Sequence, residues 1–428
     1  MADVRPFKAL RYNQRMVGDL SHIVSPPFDT ISPQLQGSLY QHSPYNVVRL
    51  EAGERLPTDT STDNRYTRSA ALLADWMAKG ILAREASPAF YLVQHTFRHR
   101  DREMFRLELM GCVRLEEYQN RVVLPHEYTR PDDKSDRLAL MEACHSNFSP
   151  VMCFYRDEGH RLSPVFQRTM AGQPAVDFSD VGGQSYKMWM IWDGEVSGEV
   201  SRVMADKSLY IADGHHRYET ALAYRDLKKT PDGDDASNFV MMGLVEFDDP
   251  GLMVLSYHRV LGGLDQPTLD LVRKRLAEVF SFESFPEEGK TPLGRFLEEI
   301  ESRGRDHMVM GLMDPTAGPL QMLTLKPGTS LESRGPLARS EAWVLEALVL
   351  RYILGDSMAQ RLDYVHDGDE AIERVKGGEF QMGFFLKPFP LNLFETVMNV
   401  GERLPPKSTF FYPKLATGLA INLLEGKL

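Results

Sequence analysis

What the chain lacks narrows the field before any motif is read. Its 428 residues hold three cysteines, Cys112, Cys144 and Cys153, with no Cys-x-x-Cys pair. An odd count without paired spacing excludes a disulfide framework or a zinc knuckle, and a reducing cytoplasm is the expected setting. No stretch approaches the ~18–20 apolar residues that a membrane-spanning helix needs, so no membrane partner is expected. The opening MADVRPFKALRYNQ is charged almost from its start and carries no apolar signal core. No block of Lys or Arg interrupts a formal charge of −11. Coating of DNA or RNA is disfavoured, because affinity for a polyanion comes mainly from clustered cations. A nucleotide, which asks for only a few well-placed donors, stays open. Also missing are G-x-G-x-x-G, H-E-x-x-H, G-x-S-x-G and a Walker loop, which weakens dinucleotide, zincin and α/β-hydrolase readings.

What is present fits a globular protein. At roughly 100–200 residues per domain the length predicts two or three domains. Asn46–Glu51 (NVVRLE) reads as a short strand, and Arg65–Lys79 as a helix with Tyr66, Ala70, Leu73 and Met77 on one face. Phe90–Phe97 and Phe105–Leu115 read as successive strands, with Gly111 the place for a bulge. A charged loop, VLPHEYTRPDDKSDR, precedes a helix over Asp136–Cys144. Strands follow at Ser149–Tyr155, Tyr186–Trp192 and Ser208–Ala212, and a helix runs from His215 to Leu227. Beyond Leu264 helix and strand patterns alternate, starting with a helix capped by Asp265 and opened by Pro267. The domains expected are 1–262 and 263–428, and the fold class α/β with mixed α+β character.

The segment IADGHHRYETA, Ile211–Ala221, carries most of the chemistry. A strand that turns at glycine directly into a helix leaves backbone N–H groups without intrahelical partners, and the helix dipole adds about half a positive charge there. Phosphate or carboxylate suits such a corner. His215, His216 and Arg217 would add side-chain donors, and Asp213 could orient a histidine or hold a magnesium ion. The bland alternative has Asp213 capping the helix and the histidines solvated; three adjacent cation-capable residues tip the balance towards an anion site.

Three further constellations stand beside it. PHEYTRPDDKSDR offers His126 and Glu127 as an acid–base pair and Lys134 and Arg137 as anion contacts, against an exposed charged loop. LSYHRV carries His258 and Arg259 at a strand-like position. Near the C-terminus, PPKSTFFYPK places Lys407 and Ser408 before three aromatics, with Lys414 after them. A zinc site from His126, Glu127, His215, His216 and His258 is a further option, although the paired histidines cannot both face one metal along a regular strand.

The turn IADGHHRYETA resembles the G-x-H-R box of the ParB/sulfiredoxin superfamily, whose members bind nucleotide phosphates at that strand–helix junction. Over nearly its whole length the chain resembles a broader prokaryotic family, domain of unknown function 1015. The segments that carry this likeness are SPPFD at 25–29, PHEYT at 125–129, DKSDR at 133–137, ADGHHRYETA at 212–221, HR at 258–259 and PPKSTFFYPK at 405–414. Sulfiredoxins have a nucleophilic cysteine where His215 stands, so sulfinic-acid reduction is not expected. ParB proteins bring a DNA-binding helix-turn-helix, which nothing after residue 264 suggests. The remaining relatives include free serine kinases.

The resemblance implies a ParB/sulfiredoxin-like N-terminal domain with a smaller α/β domain behind it. The function expected is a nucleotide-dependent phosphotransferase of kinase type acting on a small hydroxylated metabolite such as L-serine. ATP or ADP with Mg2+ would be the cofactor, and a homo-oligomer is compatible. Asp213, Gly214, His215, His216, Arg217, Lys134 and Arg137 would hold the nucleotide, with Asp213 on the metal. Glu127 or Glu51 would deprotonate the hydroxyl with help from His126. Arg49, His258, Arg259, Lys407 and Ser408 would meet the substrate. The alternatives are a metal-dependent phosphohydrolase and a non-catalytic nucleotide-binding or scaffold protein.

Overall fold

The computed structural model describes the whole chain except residues 100–101, 230–232, 287–291, 317, 319, 330 and 332–333. Its contacts divide into two units, Met1–Leu252 with Pro413–Leu428, and Met253–Tyr412. The break expected at 262/263 therefore falls inside the second unit. The reason is pairing: His258–Leu261 lies between two strands from much later in the chain, Leu362–Val365 and Met382–Phe385. The last residues, expected in the second domain, return to the first.

The first unit is built on a nine-stranded sheet. Its strands are β1 (Val4–Arg5), β2 (Phe90–His99), β3 (Arg102–Arg114), β4 (Val123–Leu124), β5 (Val151–Tyr155), β6 (Val176–Ser179), β7 (Ser185–Ile191), β8 (Leu209–Asp213) and β9 (Phe239–Glu246). The order is β4-β8-β5-β9-β3-β2-β7-β6, with β1 beside β3. β8 runs parallel to β4 and β9 parallel to β5; every other pair is antiparallel. The sheet is apolar on both faces, as alternation along each strand demands. Phe90, Leu92, Leu109, Met242 and Leu244 join one core, and Tyr91, Val93, Met110, Met241 and Phe239 the other. Gly111 makes no bulge, since its register with Met242 continues on either side. A Cβ there would instead lie 2.8 Å from the Phe90 ring, so glycine is what lets that ring lie flat on the sheet.

Four helices position the site: α1 (Val48–Glu51), α2 (Arg65–Ala78), α3 (Pro131–Cys144) and α4 (His215–Lys228). α1 stands where a strand was expected. The Asn46 side chain explains the difference, because its oxygen accepts from Val48 N at 2.9 Å while its amide donates to His22 O and Val24 O. A local side-chain network of this kind outcompetes β propensity over so short a run. α3 begins at Pro131, five residues earlier than expected, with proline in its first turn and Asp132 and Asp133 on the positive end of its dipole.

The second unit has a six-stranded antiparallel sheet of β10 (His258–Leu261), β11 (Phe280–Ser284), β12 (Val309–Met313), β13 (Gln321–Leu325), β14 (Leu362–Val365) and β15 (Met382–Phe385). The order is β11-β13-β12-β15-β10-β14. The helical run Glu341–Leu354 is interrupted by a π-turn at Glu346–Leu350. Among the described residues no helix is long and apolar enough to cross a membrane.

Candidate functional site

The expected corner exists. β8 ends at Asp213, Gly214 turns with φ 91°, and α4 starts at His215. The register between β8 and β5 shifts between Ile211 and Asp213, an irregularity that re-aims the last side chain of the strand. Glycine is required at 214 twice over. The backbone is left-handed there, and a Cβ would sit 2.9 Å from Arg217 Nε and Nη2.

The charges at the corner are arranged differently from the sequence expectation. Arg217 folds back over Gly214 and donates from Nη2 to Asp213 Oδ2 at 2.6 Å and from Nη1 to Pro150 O. Lys414, from the last segment of the chain, donates to the other oxygen of Asp213. Burial alone would push the Asp213 carboxyl up, but the charges of Lys414 and Arg217 outweigh it and hold the pKa at about 2. Asp213 is therefore ionised, with two cations on one carboxylate. Arg217 Nε is buried and has no hydrogen-bond partner among the described residues.

The two histidines are not cations. His215 Nε2 accepts from His126 N at 3.2 Å, and burial followed by the neighbouring His126 holds its pKa well below the usual imidazole range. His216 Nε2 accepts from Arg130 N at 2.9 Å and is lowered by burial, although Asp133 stands 3.4 Å away. An imidazole that accepts at one nitrogen is neutral when the other carries its only proton. Only Arg217 of the three residues after Gly214 brings a charge. His126 donates from Nδ1 to Ile211 O at 2.7 Å, which fixes its tautomer and leaves Nε2 3.7 Å from Glu127 Oε1. The rings of His126 and His215 meet edge to face at 4.5 Å.

A second group gathers beside the first. Arg137 on α3 donates from Nη1 to Glu51 O at 2.8 Å, grips Asp136 Oδ2, and lies 4.0 Å over the ring of Phe28 from the SPPFD segment. Glu51 Oε1 is 3.6 Å from Arg137 and accepts from Ser149 Oγ at 2.9 Å. Glu51, Arg137, Ser149 and Arg217 line one small cavity of about 30 Å³. That volume suits a water molecule. It does not admit a phosphate as it stands.

Other candidates stand apart from this pair. Lys134 Nζ donates to Glu219 Oε2 at 3.0 Å, and the same oxygen takes Thr129 Oγ1 at 2.5 Å. Lys134 and Glu219 border a cleft of about 590 Å³ that also includes Glu117, Tyr118 and Thr220. Arg49 spends its guanidinium on Tyr40 O at 2.7 Å and on the ring of Tyr40. In the second unit, His258 Nδ1 accepts from Leu386 N at 3.3 Å, and burial with Arg259 nearby lowers its pKa to about 4. Arg259, with its side chain 1% exposed, is held by Tyr257 O at 2.7 Å and Glu346 at 3.3 Å, which leaves it no solvent-facing donor for a substrate. Ser408 Oγ donates to Pro405 O, and Lys407 lies 5.5 Å over the Tyr257 ring.

Glu219 and Ser149 were not singled out from the sequence. Glu219 had a signal, since it follows His215 by four residues and so shares its side of α4. Ser149 had none.

Magnesium does not fit Asp213. A hard dication needs carboxylate oxygens free of other cations, and both oxygens of Asp213 already carry one. The set proposed for zinc does not assemble either: among the described residues no three His, Cys, Asp or Glu side chains form a metal-sized group.

The profile of the family described as "Protein of unknown function (DUF1015)" matches residues 4–339. The chain belongs to the DUF1015 family. The match stops before the PPKSTFFYPK segment at 405–414, so that part of the expected likeness lies outside it. No curated protein matches this DUF1015 chain. Among solved structures it is similar to a free serine kinase in complex with AMP, at 16% identity and TM-score 0.34, covering 70% of this chain and 89% of that one. It is also similar to a conserved hypothetical protein from Pyrococcus furiosus, at 13% identity and TM-score 0.36, covering 73% and 95%. A third is SbnI with a C-terminal truncation from Staphylococcus aureus, at 10% identity and TM-score 0.37, covering 73% and 87%.

Proposed function

We propose that this DUF1015 protein is a nucleotide-dependent phosphotransferase of kinase type, acting on a small hydroxylated metabolite such as L-serine, with a ParB/sulfiredoxin-like phosphate corner in its first unit. The observation that carries the reading is the pair of cations at Asp213. Two cations, Arg217 and Lys414, converge on one buried carboxylate at the start of a long helix, and Arg217 Nε is left without a partner among the described residues. Buried cations at the positive end of a helix dipole favour an incoming anion. Phosphoryl transfer is mostly positioning and charge neutralisation, which is what such a corner supplies.

In this reading Arg217 and Lys414 exchange Asp213 for phosphate oxygens as the nucleotide enters, and the cavity beside Glu51 opens. Gly214 lets the backbone come close, while His215 and His216 act as neutral donors through Nδ1. Lys134 and Arg137 balance the remaining charge. Glu51, held ready by Ser149, takes the proton of the substrate hydroxyl, with Glu127 and His126 as the second candidate pair. Magnesium, which the nucleotide would supply, binds away from Asp213. The test is to incubate the full chain with ATP or ADP, magnesium and L-serine and to follow phosphoserine by mass spectrometry. Absence of both turnover and nucleotide binding overturns the reading. The cavity beside Glu51, too small for a phosphate, favours one second reading, a nucleotide sensor; binding of ADP without turnover over a panel of small alcohols supports that instead.

A further inference from the structure

A cavity in the second unit has no part in the reading above. It holds about 850 Å³ and is formed where the chain enters β12, where Pro336–Arg339 leads into Glu341, and where the segment after β15 enters the helix Leu391–Asn399. That volume falls in the range of small-molecule sites.

Its base is a built ion pair. Lys387 donates from Nζ to Gly304 O and stands 2.8 Å from Glu341 Oε1, with the two side chains 14% and 6% exposed. Glycine at 304 makes room for that lysine, because a Cβ there would lie 2.7 Å from Lys387 Cδ. This pair is neutral as a unit and fixes the floor.

The rim carries both signs of charge. Glu301, Arg305, Asp306 and Arg339 all border the cavity. None of the four side chains makes a hydrogen bond or ion pair with another side chain among the described residues. Opposite charges that share a cavity yet do not pair leave both signs available to a ligand. One wall is apolar, formed by Leu393 and by Phe389 between Pro388 and Pro390.

We infer that this cavity binds a small zwitterion of the α-amino-acid class with an apolar side chain. The carboxylate of the ligand meets Arg305 and Arg339, its ammonium meets Glu301 or Asp306, and its side chain lies against Phe389. An arginine grips a carboxylate with two parallel hydrogen bonds, which gives both strength and direction. A ligand with only one charge would satisfy half the rim and leave the other half facing it unpaired.

The experiment is calorimetry on the full chain with L-phenylalanine and L-leucine. 3-Phenylpropionate, which lacks the ammonium, and phenethylamine, which lacks the carboxylate, serve as half-ligands. The inference expects saturable one-to-one binding of at least one amino acid, with each half-ligand at least tenfold weaker. The double variant Arg305→Ala, Arg339→Ala should weaken the amino acid at least tenfold while leaving ADP binding to the first unit unchanged. Both arginines are exposed, so the variant is expected to fold, and circular dichroism checks that it does. No saturable binding of either amino acid overturns the inference. So does half-ligand affinity equal to that of the parent, or a folded double variant that binds the amino acid as before.

Discussion

Asp213 shows how one residue can set the acid limit of a fold. Its folded pKa of about 2 lies below the ordinary value of 3.8, so the unfolded chain binds its proton at a higher pH than the native one. The stability this lends is fully present above pH ~4 and is lost as pH falls from ~4 to ~2, on the order of 2 kcal/mol. Urea titrations from pH 5 to pH 2 should show that slope, and Asp213→Asn should flatten it. Arg217→Ala removes one of the two cations, leaving Lys414 to hold a buried carboxylate alone. Breaking a buried pair in this way costs about 3–5 kcal/mol, read as a fall in the urea midpoint; a change under ~1 kcal/mol would contradict the buried pairing. His258 works in the opposite sense of charge. Its pKa of about 4 against 6.5 means that the unfolded chain takes up a proton first, so stability falls as pH drops from ~6.5 to ~4 and is level below that. Replacement by glutamine should remove this loss, followed by thermal melts at pH 7 and pH 4.5.

At the scale of the element, the strand–turn–helix corner is where sequence and structure agree in outline and differ in charge. The Asp-Gly turn, the buried strand before it and the helix after it were all legible in IADGHHRYETA. The protonation of His215 and His216 was not, because it depends on backbone donors at His126 and Arg130, roughly 90 residues earlier in the chain. Gly214→Ala tests the element itself. A left-handed backbone at a non-glycine residue costs about 1–2 kcal/mol, and the added methyl must also displace the guanidinium of Arg217. The expected outcome is a loss larger than the backbone term alone, and in the double variant with Arg217→Ala a second loss smaller than the sum, since the two changes share a contact. The extent of α2 was readable for the opposite reason, since its signals lie within its own residues, but its face was not, because Met77, expected on the apolar side, is exposed. Asn64 accepts from Tyr66 N and Thr67 N, and Leu73 and Trp76 face inward. α1 was misread because β-branched alternation over six residues says little against one asparagine that binds three backbone groups.

The whole molecule raises a question that no local pattern poses, namely why the chain leaves its first unit at Leu252 and returns to it at Pro413. The returning segment completes the first unit in several places. Lys414 reaches Asp213, 201 positions away in sequence. Leu415 fills the space over Gly243, where a Cβ would lie 2.4 Å from its Cδ1. Thr417 bridges to Ser25, and Asn422–Leu423 pairs with Ser146–Asn147. Leu415, Leu419, Ile421, Leu423 and Leu424 are all buried. At ~1.5–3 kcal/mol for each large apolar side chain, these five contribute on the order of 8–15 kcal/mol, as large as the ~5–15 kcal/mol net stability of a typical domain. A chain ending at Tyr412 should therefore fail to fold its first unit. Limited proteolysis should cut β8 and α4 while fragments of Met253–Tyr412 persist. Supplying residues 413–428 as a peptide should restore protection in proportion to its concentration, because a segment that binds only the folded form draws the equilibrium towards it. A truncated chain that melts cooperatively with an intact first unit would show that the sheet holds without its last segment, and that Lys414 is not needed to keep Asp213 charged and buried.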